Sequence, residues 1–177
     1  MLHILSDIMS LMQYKQLQKL NQHRLERCLC CGLPNPWLHG CYPRKADRSS
    51  NQGESLNPIL IQRYYCPGCQ KTCSVLPECL PPHRWYLWEI QQIAIMLTLK
   101  EASFNATAKE IAPSRHTISR WTARIKEQFK LHKDTLCGHF IDLGRHIGLC
   151  DFWQACLSII SLGAAMRLCH VAGVSVP

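Results

Sequence analysis

From the first residue the chain places apolar side chains at helical spacing. Leu2, Leu5, Ile8, Met9, Met12, Leu17 and Leu20 recur with Lys15, Lys19, Arg24 and Arg27 between them, which predicts an amphipathic N-terminal helix over residues 1–27. The alternative is a start-site extension, since Met9 or Met12 would also serve as a first residue. At residue 28 the pattern changes to Pro, Gly, paired Cys and short β-prone runs, Ile59-Leu60-Ile61 and Arg63-Tyr64-Tyr65. This predicts a small β module over 28–82, with a polar loop from Lys45 to Asn57 and Pro81-Pro82 at its end. Helical spacing returns from Trp85 to Leu99, with Trp85, Trp88, Ile93, Met96 and Leu97 as the expected buried stripe. A second helix is predicted over Phe104–Ala112 and a third from Arg115 to about Leu131, giving a helical module over 83–133. In the tail, 134–177, Asp151 is expected to cap a helix over Phe152–Ile160. Ser161 is expected to cap another that runs to Gly173. The predicted class is α+β, mostly α.

Composition narrows the field. With 177 residues and 47% hydrophobic content the chain can bury a core. The net charge of +8 favours a polyanionic partner. Twelve cysteines would suit a secreted disulfide scaffold. Met1 to Ser10, however, lacks a basic leader, a long apolar run and a small-residue cleavage site. The expectation is therefore a cytoplasmic protein with reduced thiols. Phe152–Met166 is too short to cross a bilayer and is flanked by Asp151 and Arg167, so no membrane association is expected.

The cysteines carry the most specific chemistry. Cys28 and Cys31, and then Cys66 and Cys69, form two CxxC pairs, with Gly32 after the first and Gly68 inside the second. Two such turns bring four thiolates to one tetrahedral ion, and the expected cofactor is a single structural Zn2+. The intervening residues 32–65 suit a zinc ribbon, knuckle, strands and knuckle again. Because so small a module is expected to have almost no apolar core, metal binding would supply its folding free energy, about 10–16 kcal/mol. Cys41, Cys73 and Cys79 are read as small apolar fillers, and His39 and His83 as the alternative ligands.

The run FNATAKEIAPSRHTISRWTARIK, from Phe104, has the spacing of a helix-turn-helix, here the core of a three-helix, homeodomain-like module. Ala108 is small where helices cross, Ala112-Pro113-Ser114 makes the turn, and Ser114 suits an N-cap. Ile111, Ile118 and Trp121 are the expected apolar contacts. If Ala112 needed a left-handed conformation it would cost roughly 1–2 kcal/mol. The third helix would then present Arg115, His116, Ser119, Arg120, Arg124 and Lys126 to double-stranded DNA, followed by Lys130 and Lys133. Arg suits guanine edges, while Lys and Ser suit phosphates. The ribbon residues Arg44, Lys45, Arg63 and Lys71 are expected to add phosphate contacts. No Gly-rich phosphate loop, nucleophile elbow or His-Glu metal helix is legible. Asp134, Asp142 and Asp151 read as turn and cap residues, so neither catalysis nor a small-molecule substrate is expected.

Taken together, Cys28-x2-Cys31-Gly32, His39-Gly40-Cys41-Tyr42-Pro43-Arg44, Arg63 through Cys69, Lys71-Thr72-Cys73-Ser74 with Leu76-Pro77, and Ser114 through Trp121 resemble a known pattern. It is the zinc-ribbon plus helix-turn-helix N-terminal region of bacterial insertion-sequence transposases and related small accessory proteins. The resemblance covers roughly residues 28–130. It departs at Cys73, a position that is commonly aromatic. It implies binding to the terminal repeats of a mobile element, without the carboxylate-bearing catalytic domain of full-length members. The chain would then be a remnant, or a DNA-binding subunit acting with a separate transposase or as a self-dimer. Phe152–Pro177 looks like a recurrent C-terminal piece of the same small proteins, an apolar helical hairpin. Two other readings stay open: a transcriptional regulator with a metal- or redox-responsive ribbon, and a ribbon that binds RNA or protein.

Overall fold

The structure, a computed structural model, describes residues 2–5, 11–19, 24–45, 57–81 and 85–176. Residues 46–56 of the expected loop, together with Pro82 and His83, lie outside the described residues. The chain divides into two compact units, Met1–Leu87 and Trp88–Pro177. The α+β class expected from the sequence holds.

In the first unit three strands form an antiparallel meander: β2 (Trp37–Arg44), β3 (Ile59–Cys66) and β4 (Lys71–Pro77). A further strand, β1 (Leu2–Leu5), adds in parallel to β4, and the sheet order is β1-β4-β3-β2. The helix α1 spans Leu11–Lys19. The single helix expected over 1–27 is therefore corrected to a strand and a shorter helix. The reason is tertiary: the outer edge of β4 offers a row of backbone groups, and Leu2–Leu5 satisfies them across a pairing of Leu2 with Ser74 and Leu5 with Pro77.

The sheet is packed on both faces, with the period of two that strands impose. On one face Tyr14 of α1 closes over Ile59, Ile61, Leu76 and Leu80, and all five side chains are buried. The Tyr14 hydroxyl lies 3.4 Å from the Val75 carbonyl and 3.5 Å from the Gln62 amide, so this aromatic residue spans β3 and β4. On the other face Tyr64, Cys73 and Val75 cluster with Leu25. The module therefore has a small apolar core, contrary to the expectation that it has almost none. Each of these side chains contributes roughly 1.5–3 kcal/mol on burial. Strand β2 lies at the edge of the sheet opposite β1. It carries Pro43, tolerated where no ladder partner is needed, and a bulge between Leu38 and Cys41, where Gly40 has φ +82°.

The second unit is helical: α2 (Trp88–Leu99), α3 (Phe104–Glu110), α4 (Arg115–Glu127), α5 (Phe129–His139), a 3-10 turn (Ile141–Arg145), α6 (Leu149–Ile159) and α7 (Leu162–Val171). Their shared core holds Trp88, Ile95, Ile125, Leu136, Phe152, Trp153, Leu162 and Met166. The expected division at residue 133 is absent, because α5, α6 and α7 contribute to the same core as α2 and α4. The buried side of α2 is Trp88, Gln91, Ala94, Ile95 and Leu99 rather than the expected stripe. Trp85 precedes the helix, and Ile93 is 41% exposed. Helix α2 is apolar on most sides, so its phase is chosen by α4 and α7, which pack on it. One consequence is that the Gln92 side-chain oxygen reaches the Leu162 amide at 2.7 Å and helps to start α7.

Capping residues act much as their types suggest. Ser114 accepts from Thr117 N and Ser161 accepts from Ala164 N. Asp151 does not cap α6, which begins two residues earlier after Gly148; its carboxylate instead lies 2.9 Å from His146 Nδ1. The expected third helix ends at Glu127 and resumes as α5 after Gln128. Ala112 is not among the non-glycine residues with positive φ, which in the described residues are Asn35, Gln70 and Glu101. The turn instead leaves α3 through an extended Ile111, with Pro113 buried, and carries no left-handed penalty at Ala112. Among the described residues no single helix is long and apolar enough to cross a membrane. The apolar pair α6 and α7 bends by 103° between its helices and buries Phe152, Trp153 and Met166 in the core.

Two substitutions test this packing. A Cβ at Gly163 would lie 3.1 Å from Trp88 Cδ1, against a rigid indole, so Gly163→Ala should destabilise the helical unit by about 1–3 kcal/mol. Tyr14→Ala should destabilise the sheet unit by about 3 kcal/mol or more. Urea unfolding followed by tryptophan fluorescence and by amide exchange in each unit measures both.

Candidate functional site

The two CxxC pairs sit on two tight turns, each shaped by its own backbone. The first is a small hairpin in which Cys28 N donates to Leu33 O at 2.7 Å, Gly32 N donates to Cys28 O at 2.8 Å, and Asn35 N donates to Glu26 O at 2.7 Å. Gly32 supplies φ +76°, a conformation costly for any residue with a Cβ. The second pair occupies the β3–β4 turn. Cys66 ends β3 opposite Lys71, and Gln70 takes φ +55°. Gly68 lets the turns approach: a Cβ there would stand 3.0 Å from Leu33 Cδ2.

The approach brings all four sulfurs within 4.8 Å of one another. Cys28 Sγ lies 3.7 Å from Cys69 Sγ, and Cys31 Sγ lies 3.5 Å from Cys66 Sγ. A tetrahedron with metal–sulfur bonds of about 2.3 Å has edges of about 3.8 Å. The sulfurs thus stand close to the spacing that one tetrahedral ion requires. Cys30 N points at Cys28 Sγ from 3.4 Å, as expected where an amide stabilises thiolate charge. The amides of Cys30 and Cys31 together hold the Cys28 thiol down to about 6, whereas desolvation pushes Cys69 up to about 12. Metal binding to this cluster must therefore displace protons, Cys69 among their sources.

The remaining cysteines divide by position. Cys30 and Cys41 are exposed, so Cys41 is not the filler expected. Cys73 is buried against Tyr64 and Val75, and Cys79 packs at the edge of the Tyr14 cluster. Burial raises both of their thiols out of the reactive range. His39 stands at the β2 bulge, beside Tyr65, outside the four-sulfur cluster.

In the helical unit α4 buries Ile118, Trp121, Thr122 and Ile125. Arg115, His116, Arg120 and Lys126 are exposed and Ser119 is half-buried. Arg115, His116 and Ser119 meet Ser103, Phe104 and Asn105 at the start of α3, around an open cleft of about 370 Å³. Ser103, not singled out from the sequence, caps α3 by accepting from Ala106 N at 3.1 Å. Arg124 departs from its expected role. By helical phase it falls on the flank of α4 opposite Arg115, Ser119 and Lys126, and its guanidinium donates to Ser175 Oγ at 3.2 Å. Lys133 is likewise engaged, donating to the His146 carbonyl at 2.8 Å. Arg44 of the sheet unit donates to Pro81 O at 2.6 Å and is partly desolvated, so its role is to tie the module's end rather than to hold a phosphate.

A family model described as a domain of unknown function, DUF6431, matches residues 28–121, more than half of the chain. The chain belongs to the DUF6431 family. The DUF6431 stretch begins on Cys28, the first of the four clustered cysteines, and ends on Trp121, the buried anchor of α4. It contains all four clustered cysteines with Arg115, His116, Ser119 and Arg120, and leaves out Arg124 and Lys126. Comparison with curated proteins and with solved structures gives no match.

Ligand substitution tests the site. Cys28→Ser, Cys31→Ser, Cys66→Ser and Cys69→Ser should each abolish stoichiometric metal, whereas Cys30→Ser should keep it; elemental analysis of purified protein reads this directly. Protons and metal compete for the sulfurs, so affinity should fall as pH is lowered. Metal addition at neutral pH should release protons, Cys69 among their sources, and titration calorimetry in buffers of different ionisation enthalpy measures their number.

Proposed function

We propose that the chain is a zinc-dependent, transposase-related protein that reads duplex DNA with α4 and has no catalytic step of its own. In this reading α2, α3 and α4 act as the three-helix, homeodomain-like helix-turn-helix module, and the first unit acts as a zinc ribbon. Four sulfurs at tetrahedral spacing favour zinc over oxygen-preferring ions. The duplex target that the resemblance implies is the end of a mobile element.

The observation that carries the proposal is the unpartnered charge of α4. Among the described residues none of Arg115, Arg120 or Lys126 belongs to an ion pair, although all three stand exposed on a well-anchored helix. Exposed, unpaired cations on a rigid helix are available to phosphates and guanine edges, and the positive N-terminal end of α4 adds to their field. Ser114 and Pro113 hold that end in place, and Ser119 is within the same cleft as Arg115 and His116. Arg124, committed to Ser175, plays the lesser part.

Arg115→Ala and Arg120→Ala should relax sequence preference, each by about tenfold against the best-selected site. Lys126→Ala should weaken all duplexes alike and reduce the salt slope of log K by about 1. Arg124→Ala should change affinity least. Mobility-shift titrations on sites selected from a random pool decide the matter; unchanged affinity and selectivity in the first three variants would refute the reading.

A further inference from the structure

The sheet of the first unit is covered on one face only along part of its length. Tyr14 of α1 seals Ile59, Ile61 and Leu76. Towards the other end of the same face the strands present Trp37, Tyr65, Arg63 and Tyr42, placed together by the pairings Trp37 with Tyr65 and Tyr42 with Ile61. Trp37 is 61% exposed. Its ring centroid lies 6.1 Å from that of Tyr65, and His39, carried by the β2 bulge, lies 5.9 Å from Tyr65 on a tilted plane. Arg63 stands over the Tyr42 ring with 5.2 Å between the guanidinium carbon and the ring centroid.

We infer that this face binds single-stranded nucleic acid, stacking unpaired bases on Trp37 and Tyr65 while Arg63 meets the backbone. Three observations select this occupant. The rings sit on paired strands with their planes tilted by 49°, so their faces are not consumed by stacking on one another. An unpaired base has a flat π-face of matching size, while a paired base hides its faces in the duplex. On this face strands β2 and β3 contain no Asp or Glu and carry Arg63, so the surface is complementary to a polyanion rather than to a basic peptide. A purely apolar partner would leave Arg63 and His39 desolvated at a cost. Duplex reading by α4 involves different residues on the other unit, so this assignment stands or falls independently of it.

The test uses the full, metal-loaded chain with fluorescently labelled 12-nucleotide dT and rU strands, and a duplex of selected sequence as the control. Trp37→Ala and Tyr65→Ala should each weaken single-strand binding by roughly tenfold, within the range typical of one lost base stack. Trp37→Phe should restore most of the affinity, and duplex affinity should stay within a factor of two. Loss in both strands assigns base stacking without the 2′-hydroxyl; loss in one assigns that nucleic acid. Because Trp37 is exposed, stoichiometric metal in the variants confirms an intact fold; Trp37→Lys offers a second exposed replacement that keeps the charge favourable and removes the ring. The inference is overturned if the parent does not bind either strand, if both alanine variants bind them as the parent does, or if duplex affinity falls by the same factor.

Discussion

Four sulfurs held at tetrahedral spacing by two separate turns are the constraint on which the sheet unit rests. Thiolates so close repel one another unless a cation sits among them, even though backbone amides meet Cys28, Cys31 and Cys69. A metal ion held there would convert a mutual repulsion into a clamp between the start of the module and its β3–β4 turn. The glycines are part of the same device: Gly32 makes the first turn feasible, and Gly68 removes the side chain that would collide with Leu33.

The clamp is not the whole of the unit's stability. Tyr14 reaches the sheet from a helix near the N-terminus and fills the space between β3 and β4, while Leu2–Leu5 completes the edge of β4. A metal on the four sulfurs and the Tyr14 core would thus act at different places, the metal at the turns and that core towards the opposite ends of the strands. That division leaves a stretch of sheet covered by neither, and it is there that Trp37 stands exposed beside a half-buried Tyr65. On the helical unit the same economy appears in another form. Ile118, Trp121 and Ile125 anchor α4, and the cations on its free side have no ionic partner among the described residues.

Much of the metal site was legible because its chemistry is local. A CxxC turn places two sulfurs within reach of one ion wherever it is folded, so the four cysteines that cluster could be named without any knowledge of the intervening strands. Caps were legible for a similar reason: Ser114 and Ser161 bond amides three residues away. The helices were found by period, but their faces were not always. Helix α2 is apolar on most sides, and no stripe in its own residues can say which side meets α4 and α7. Asp151 looked like a cap because it precedes an apolar run, yet α6 starts earlier and the carboxylate is drawn to His146 instead.

What the sequence determined by itself was therefore much of what is governed by bonds and contacts over a few residues: the paired cysteines, the starts of α3, α4 and α7, the polar breaks and the basic character of α4. The tertiary structure decided which distant groups would meet. It turned Leu2–Leu5 into a strand, committed Arg44 to Pro81 O and Arg124 to Ser175, and placed Trp37 beside Tyr65 across two strands. Such pairings depend on which hydrogen-bonding edges and which cavities are left once the chain has collapsed. No local pattern encodes that, because the competing partners are separated in sequence and are chosen only by the free energy of the whole fold.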